Sequence, residues 1–338
     1  MRNFFRERLA ENDLLAAPMA GVTSAPFRLF LREFFSGIAY TEMVSVEGVR
    51  RSNPHSMEYL DIMNGDRPVI AQLFGGNPDS YPEAVAVAES YSAPDGYDIN
   101  MGCPVKKVIK AGGGCALLTD LPRIVKIIRA MRSGTERPFS VKIRTGWDES
   151  KPIFKEVLNI AESEGADALI LHARTRKQMF GGAINYEALA DLSSFASIPI
   201  IGNGDVTDYE SYLRIKKTGV NGVMIGRGMM KTPWIFKAVK EGKEPQNYYT
   251  PTELHLFLLK LYGNMLEHTI GRSAEQKKRE HYLNIIKKFA VWFSKGLENA
   301  AQFRAEVFKS AREDLFFKLL ERYFTQSVFP LDIDDSRD

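Results

Sequence analysis

Phe139-Ser140-Val141-Lys142-Ile143-Arg144 alternates apolar and polar residues with the two-residue period of a β-strand, which puts Lys142 and Arg144 on one side. Working outward, short apolar runs alternate with longer amphipathic ones from about Leu14 to Ile225, the rhythm of repeated βα units. Strands are predicted at Leu14–Pro18, Gly37–Glu42, Val69–Leu73, Gly96–Asn100, Phe139–Arg144, Ala168–His172, Ile198–Gly202 and Gly222–Ile225. Apolar residues recur at three- and four-residue steps in Ser80–Tyr91, Leu121–Met131, Ile153–Glu164 and Tyr209–Lys217, the spacing of helices. Eight such units in about 240 residues fit a closed (β/α)8 TIM barrel better than an open sheet. Chemistry in such a barrel sits at the C-terminal ends of the strands, where Gln72, Asn100, Cys103, Lys142, Arg144, His172, Asn203, Asp205 and Arg227 fall. Lys142 and Arg144 then face the mouth, as a pair suited to an anion or an electron-rich ring.

The chain has 338 residues, 44% hydrophobic and 26% charged, enough for one large core and a small second domain. Arg2, Arg6, Glu7, Arg8, Glu11 and Asp13 interrupt any apolar leader, and no later segment approaches the ~18 uncharged residues of a membrane span. The expectation is a cytoplasmic protein without membrane or metal, and a monomer. The only cysteines, Cys103 and Cys115, are too few for a disulfide scaffold, a four-cysteine zinc site or an iron–sulfur cluster. Past Glu241-Gly242-Lys243-Glu244-Pro245 the pattern becomes long helices, at Pro251–Thr269, Ala274–Lys295, Ala300–Ser310 and Glu313–Phe324, with the apolar stripes of an antiparallel bundle. Formal net charge is only +3, yet between Pro251 and Arg312 basic residues outnumber acidic ones 11 to 6. The predicted organisation is a (β/α)8 catalytic barrel over 1–240, a linker over 241–250, an all-α bundle over 251–328 and an acidic, fraying tail over 329–338.

Pro18-Met19-Ala20-Gly21-Val22-Thr23 reads either as a tight βα turn or as a backbone that a flat ring can approach. Gly202-Asn203-Gly204-Asp205 and Gly226-Arg227-Gly228 end the last two strands, where barrels commonly bind phosphate on glycine-exposed N–H groups. Arg227 adds a charge-assisted partner. If the bound group is a flavin, Lys142 would stabilise negative charge at its N1–C2 edge and Gln72 would bond its pyrimidine rim, the alternative being a lysine paired to a carboxylate. His172 is either a cofactor or substrate contact or a satisfied barrel histidine. Cys103, in Asp98-Ile99-Asn100-Met101-Gly102-Cys103-Pro104-Val105-Lys106-Lys107, is an inert small side chain, a nucleophile or a general acid that keeps its proton. Cys115, at an apolar helix start, reads as structural.

Taken together, Pro18–Thr23 with Pro26-Phe27-Arg28, Gln72–Gly75, Asp98–Lys107, Lys142–Trp147, His172–Arg176, Asn203–Asp205 and Gly226–Gly228 resemble the tRNA-dihydrouridine synthase family, most closely its bacterial B-type subgroup. The resemblance covers nearly the whole chain. It implies FMN held by Pro18, Met19, Ala20, Gln72, Lys142, His172, Asn203, Gly204, Asp205, Gly226 and Arg227, with NADPH (or NADH) as reductant. It implies hydride delivery from FMN to C6 of uracil in tRNA while Cys103 protonates C5. Asn100, Lys106, Lys107, Arg144 and Arg174, together with Lys142, fall on the substrate side. The uridine would be flipped out of its RNA fold, with bundle cations Lys277, Lys278, Arg279, Lys287, Lys288, Lys295 and Arg304 on the phosphates. Phe180 stands where the family usually has tyrosine, and Lys287-Lys288-Phe289 replaces an Arg-Lys-His run, which bears on tRNA contacts rather than on the chemistry. Two alternatives stay open: a free-pyrimidine reductase of the dihydroorotate dehydrogenase type, against which the bundle argues, and a tRNA-binding protein without turnover.

Overall fold

The computed structural model describes residues 4–272 and 275–325. Its strands are β1 (Leu14–Ala16), β2 (Ala39–Tyr40), β3 (Val44–Ser45), β4 (Val69–Phe74), β5 (Gly96–Met101), β6 (Phe139–Arg144), β7 (Ala168–His172), β8 (Ile200–Asn203) and β9 (Gly222–Ile225). All pairings are parallel: β1 lies between β2 and β9, β2 also pairs with β4, and β4 to β9 pair in succession. Eight strands therefore close a barrel, and the short β3 attaches beside the end of β4. Helices such as Ser80–Tyr91, Leu121–Gly134, Phe154–Ser163 and Tyr186–Phe195 alternate with the strands. Covered outside by helices and filled inside, β4 to β9 are buried along nearly their whole length.

Two predicted strands are shorter in the structure. Pro18 lacks the N–H that would extend β1, which ends at Ala16. Past Tyr40 the Thr41 N–H still donates to the Ile70 carbonyl at 2.9 Å, but the next bond is to a side chain, as the Gln72 N–H donates to Thr41 Oγ1 at 3.0 Å.

An apolar cluster including Leu15, Tyr40, Ile70, Ile170, Ile201 and Met224 fills the barrel. The helix Phe4–Glu11 adds Phe5 and Leu9 to this cluster, and Leu9 packs so closely on Gly222 that a Cβ there would lie 2.6 Å from Leu9 Cδ2 and push that side chain aside. The sequence reading did not assign that helix, although Phe5 and Leu9 stand at the four-residue spacing of one helical face. Chemistry is thus confined to the opposite end of the barrel, where the strands terminate.

The chain forms two compact units: residues up to Met229 with Pro233–Lys243, and Met230–Thr232 with the residues from Glu244 onward. The second unit holds helices Pro251–Glu267, Glu275–Phe293, Ala300–Lys309 and Glu313–Thr325. Thr250 and Glu253 form a capping box that starts the first of them, with Pro251 at its first position. Leu258, Leu261, Ile286, Phe289, Phe303, Phe316 and Leu320 are buried in this unit. The start predicted at Ala274 and the tail over 329–338 lie outside the described residues. No helix among the described residues is long and apolar enough to cross a membrane.

Candidate active site

β5 and its loop place the thiol. Cys103 is partly buried, and its N–H donates to Asn100 Oδ1 at 2.9 Å, with the Gly102 N–H sharing that oxygen at 3.2 Å. Asn100 Nδ2 donates in turn to Gln72 Oε1 (2.8 Å), and Gln72 Nε2 to Asp98 Oδ2 (2.7 Å). Ser140 Oγ donates to the other oxygen of Asp98 at 2.6 Å, and Tyr40 Oη lies 3.2 Å from Ser140 Oγ. From the other side, the Cys115 N–H donates to the Cys103 carbonyl at 3.0 Å. Gly114 permits this approach, because it adopts φ +58° and its Cβ would lie 2.6 Å from Cys103 O. Asp98, Ser140 and Tyr40 received no role from the sequence, although Asp98 alternates with Asn100 on the same face of β5.

Burial pushes the Cys103 thiol above its ordinary value, against a bond from Val105 N–H and the pull of Arg144 and Lys142. The thiol therefore keeps its proton at neutral pH, which suits an acid and not a nucleophile. Burial, with the Arg144 charge, brings Lys142 down to about 8, while Asp98 pulls the other way. Asp98 itself is raised by burial to about 6, opposed by Ser140, Gln72 and Lys142. Lys142 Nζ donates to Asn203 Oδ1 at 3.0 Å, and Asn203 Nδ2 to the Met224 carbonyl at 2.8 Å. His172 is held far below its usual value by burial and then by Lys142, Arg144, Arg174 and Arg227, so its ring is neutral.

Arg144 and Arg174 act on the loops. Arg144 is 1% exposed and donates to the carbonyls of Gly102 (2.9 Å), Thr175 (2.9 Å) and Met179 (2.6 Å), tying the thiol loop to the loop after β7. Arg174 donates to the carbonyls of Gly181 and Gly182 and to Asp205, which also pairs with Arg227. Phe180 is exposed at the mouth, with the Arg144 and Arg227 guanidinium carbons 5.6 and 5.4 Å from its ring centre. At the first loop, the Met19 N–H donates to Thr23 Oγ1 at 3.0 Å and the Gly21 N–H to the Glu42 carboxylate. A Cβ on Gly226 would be 3.5 Å from Met19 Sδ, so the loops after β1 and β9 adjoin. Ala20 is exposed and Pro18 half-buried beside them. Lys106 and Lys107 are exposed on the short helix Lys106–Lys110, with no ion-pair partner among the described residues.

One feature of this mouth fits a group that carries a phosphate. Arg174 Nη1 is buried without a hydrogen-bond partner, close to the Gly204–Asp205 turn, where Gly204 has φ +144°. Among the described residues no cluster of three or more His, Cys, Asp or Glu could hold a metal.

In the second unit one expectation is corrected. Lys287 was placed among the phosphate-facing cations, but it is 7% exposed, donates to the Ser310 carbonyl at 2.5 Å and lies 5.7 Å from the Phe316 ring. A lysine on the apolar stripe of its helix packs its stem inward. Arg279 lies 3.6 Å from Glu313, while Lys277, Lys288 and Lys295 are exposed. Trp292, Lys231, Lys295 and Arg304 line a cavity of about 460 Å³ in this unit.

The model of the family described as dihydrouridine synthase matches residues 14–328. A tRNA-dihydrouridine synthase B of Pseudomonas aeruginosa is 33% identical over 320 residues, covering 93% of each chain. A protein of the same description from Xanthomonas axonopodis pv. citri is 31% identical over 312 residues, 92% of each. A probable tRNA-dihydrouridine synthase of Rickettsia typhi is 30% identical over 302 residues, covering 88% of this chain and 89% of its own. Among solved structures, the old yellow enzyme of Trypanosoma cruzi superposes with a TM-score of 0.51 at 12% identity, over 71% of this chain and 92% of its own, a likeness of fold.

Proposed function

Because the chain belongs to the dihydrouridine synthase family, we propose that it reduces the C5=C6 bond of uridines in tRNA, with FMN as bound cofactor and NADPH as reductant. The observation that carries this reading is Cys103, a thiol kept protonated by burial, fixed by Asn100 and held near the Lys142 and Arg144 charges. When bound, FMN supplies the hydride to uracil C6. Cys103 would give its proton to C5, the proton that reduction of the C5=C6 bond needs beside the hydride. Lys142 is charged below about 8 and stabilises negative charge where it develops, while Asn100, its amide committed to Gln72 and to the thiol loop, holds Cys103 in place. Neutral His172 donates or accepts a bond without adding a fifth positive charge to the four around it. Pro18, Met19, Ala20 and Gln72 would flank the ring, and Asn203, Gly204, Asp205, Gly226 and Arg227 its phosphate, with Arg174 Nη1 as a ready donor.

The second unit would hold the RNA. Lys231, Lys295 and Arg304 around the Trp292 cavity combine phosphate-neutralising charge with a face on which a base can stack. Lys106 and Lys107, exposed beside the thiol loop, add charge where the flipped uridine would arrive.

The test supplies flavin-loaded protein and NADPH with unmodified tRNA, and separately with uracil or orotate. Dihydrouridine in tRNA is expected. Its absence despite bound FMN overturns the proposal, and reduction of orotate selects the free-pyrimidine reading. Cys103→Ala should bind FMN and oxidise NADPH as the parent does, yet form no product.

A further inference from the structure

Asp98 is fully buried in β5 and is held by hydrogen bonds from Gln72 and Ser140, not by Cys103. Its consequence for Cys103 follows from donor and acceptor rules. A carboxylate only accepts, so Gln72 must turn its NH2 toward Asp98 and its Oε1 toward Asn100. Asn100 must answer with its NH2, which leaves Oδ1 facing the loop. There two backbone N–H groups, of Gly102 and Cys103, can only donate. The relay has fixed polarity at both ends, and every bond in it spans 2.7–3.2 Å.

We propose that Asp98 is a positioning residue for the general acid: as the acceptor at the root of the Gln72–Asn100 relay, it orients both amides and so fixes the Cys103 loop at the barrel mouth. The role of Cys103 as an acid rests on the function proposed above, whereas the placement of its backbone by Asp98 does not. Asp98 also faces Lys142, whose charge it supports, and Tyr40 and Tyr81 feel its charge through the barrel interior. An electrostatic role and a positioning role therefore make different forecasts for two substitutions.

In Asp98→Asn the new amide can keep its oxygen toward Gln72 and donate to Ser140 Oγ, which is free to donate onward to Tyr40. The alternative orientation would propagate upward and set Asn100 Nδ2 against two N–H donors, so the native polarity is selected from the loop end. The relay survives while the charge is gone. In Asp98→Leu both are lost.

The readout is the pH profile of Cys103 alkylation by iodoacetamide in the full chain, measured without flavin; Cys115 is fully buried and does not compete. The charged and titratable groups facing the thiol are Lys142, Arg144 and Cys115, and the Val105 N–H bonds to it. Asp98→Leu should free the loop, return the thiol toward its ordinary pKa and raise the neutral-pH rate about tenfold. Asp98→Asn should stay within about threefold of the parent at each pH, since the relay bonds persist. With loaded enzyme and tRNA, Asp98→Leu should lower kcat on the order of 10²-fold with KM unchanged, the scale of a misplaced catalytic group. Equal effects of Asn and Leu on alkylation overturn the proposal in favour of charge, and no effect of either overturns it outright. If Asp98→Leu does not fold, Gln72→Met cuts the same relay one link higher and must reproduce the alkylation change; a parent-like profile there refutes the relay. A parent enzyme inactive on tRNA would sink the function proposed above but leave the alkylation result decisive.

Discussion

Replacing Arg144 with methionine removes a side chain that ties the Cys103 loop to the loop after β7 through hydrogen bonds to Gly102, Thr175 and Met179. Each bond has a charged donor, worth about 1.5–3 kcal/mol. Met179 is exposed, so its carbonyl regains water, which leaves two bonds to count. Methionine keeps part of the packing and relieves the burial of a guanidinium, so the net cost is about 3 kcal/mol. The cost falls on local opening of the two loops, because the strands beneath keep their ladders. At about 1.4 kcal/mol per factor of ten, amide exchange in peptides spanning 101–104 and 174–182 should quicken about 10²-fold. Hydrogen–deuterium exchange with mass spectrometry reads this directly, with the β7–β8 core as the unchanged reference. Arg144→Lys has one compact donor head, reaches fewer of the three carbonyls, and should fall between. Parent-like exchange in both peptides of Arg144→Met would refute the clasp and return Arg144 to a ligand-facing role.

Initial rates of tRNA reduction should fall as pH rises through about 8, because Lys142 is charged below that value and neutral above it; Lys142→Met should be slow throughout and lack this limb. Gly114→Ala forces a Cβ to 2.6 Å from the Cys103 carbonyl at φ +58°, so its melting transition should drop by the equivalent of about 1–3 kcal/mol, and Cys103 alkylation should change with it. Arg28 and Asp66 form an ion pair with side chains 1% and 0% exposed, and Arg28→Met should cost about 3–5 kcal/mol in urea unfolding of the barrel by stranding a buried carboxylate. A loss under about 1 kcal/mol there would mean that Asp66 is neutral in the native state.

The barrel was legible because its signal is local. Each strand is a short apolar run, and Phe139–Arg144, Ala168–His172 and Gly222–Ile225 occur with the predicted bounds. The polar residues at strand ends were legible for the same reason: a strand has two faces and one end at the mouth. What sequence could not supply is which partner satisfies a buried donor. Arg144 and Arg174 have the composition of anion receptors, yet three backbone carbonyls meet one and two glycine carbonyls with Asp205 meet the other. Those acceptors lie on loops up to 42 residues away in the chain. The same limit hid Asp98: its neighbours Ser140 and Gln72 belong to adjacent strands, and only the parallel register that pairs Gln72 with Asp98 and Asp98 with Ser140 brings the three side by side. Register is a property of the closed sheet. A motif reading therefore finds the thiol at the surface of the relay and misses the carboxylate at its root, although the root sets the polarity of every bond between them.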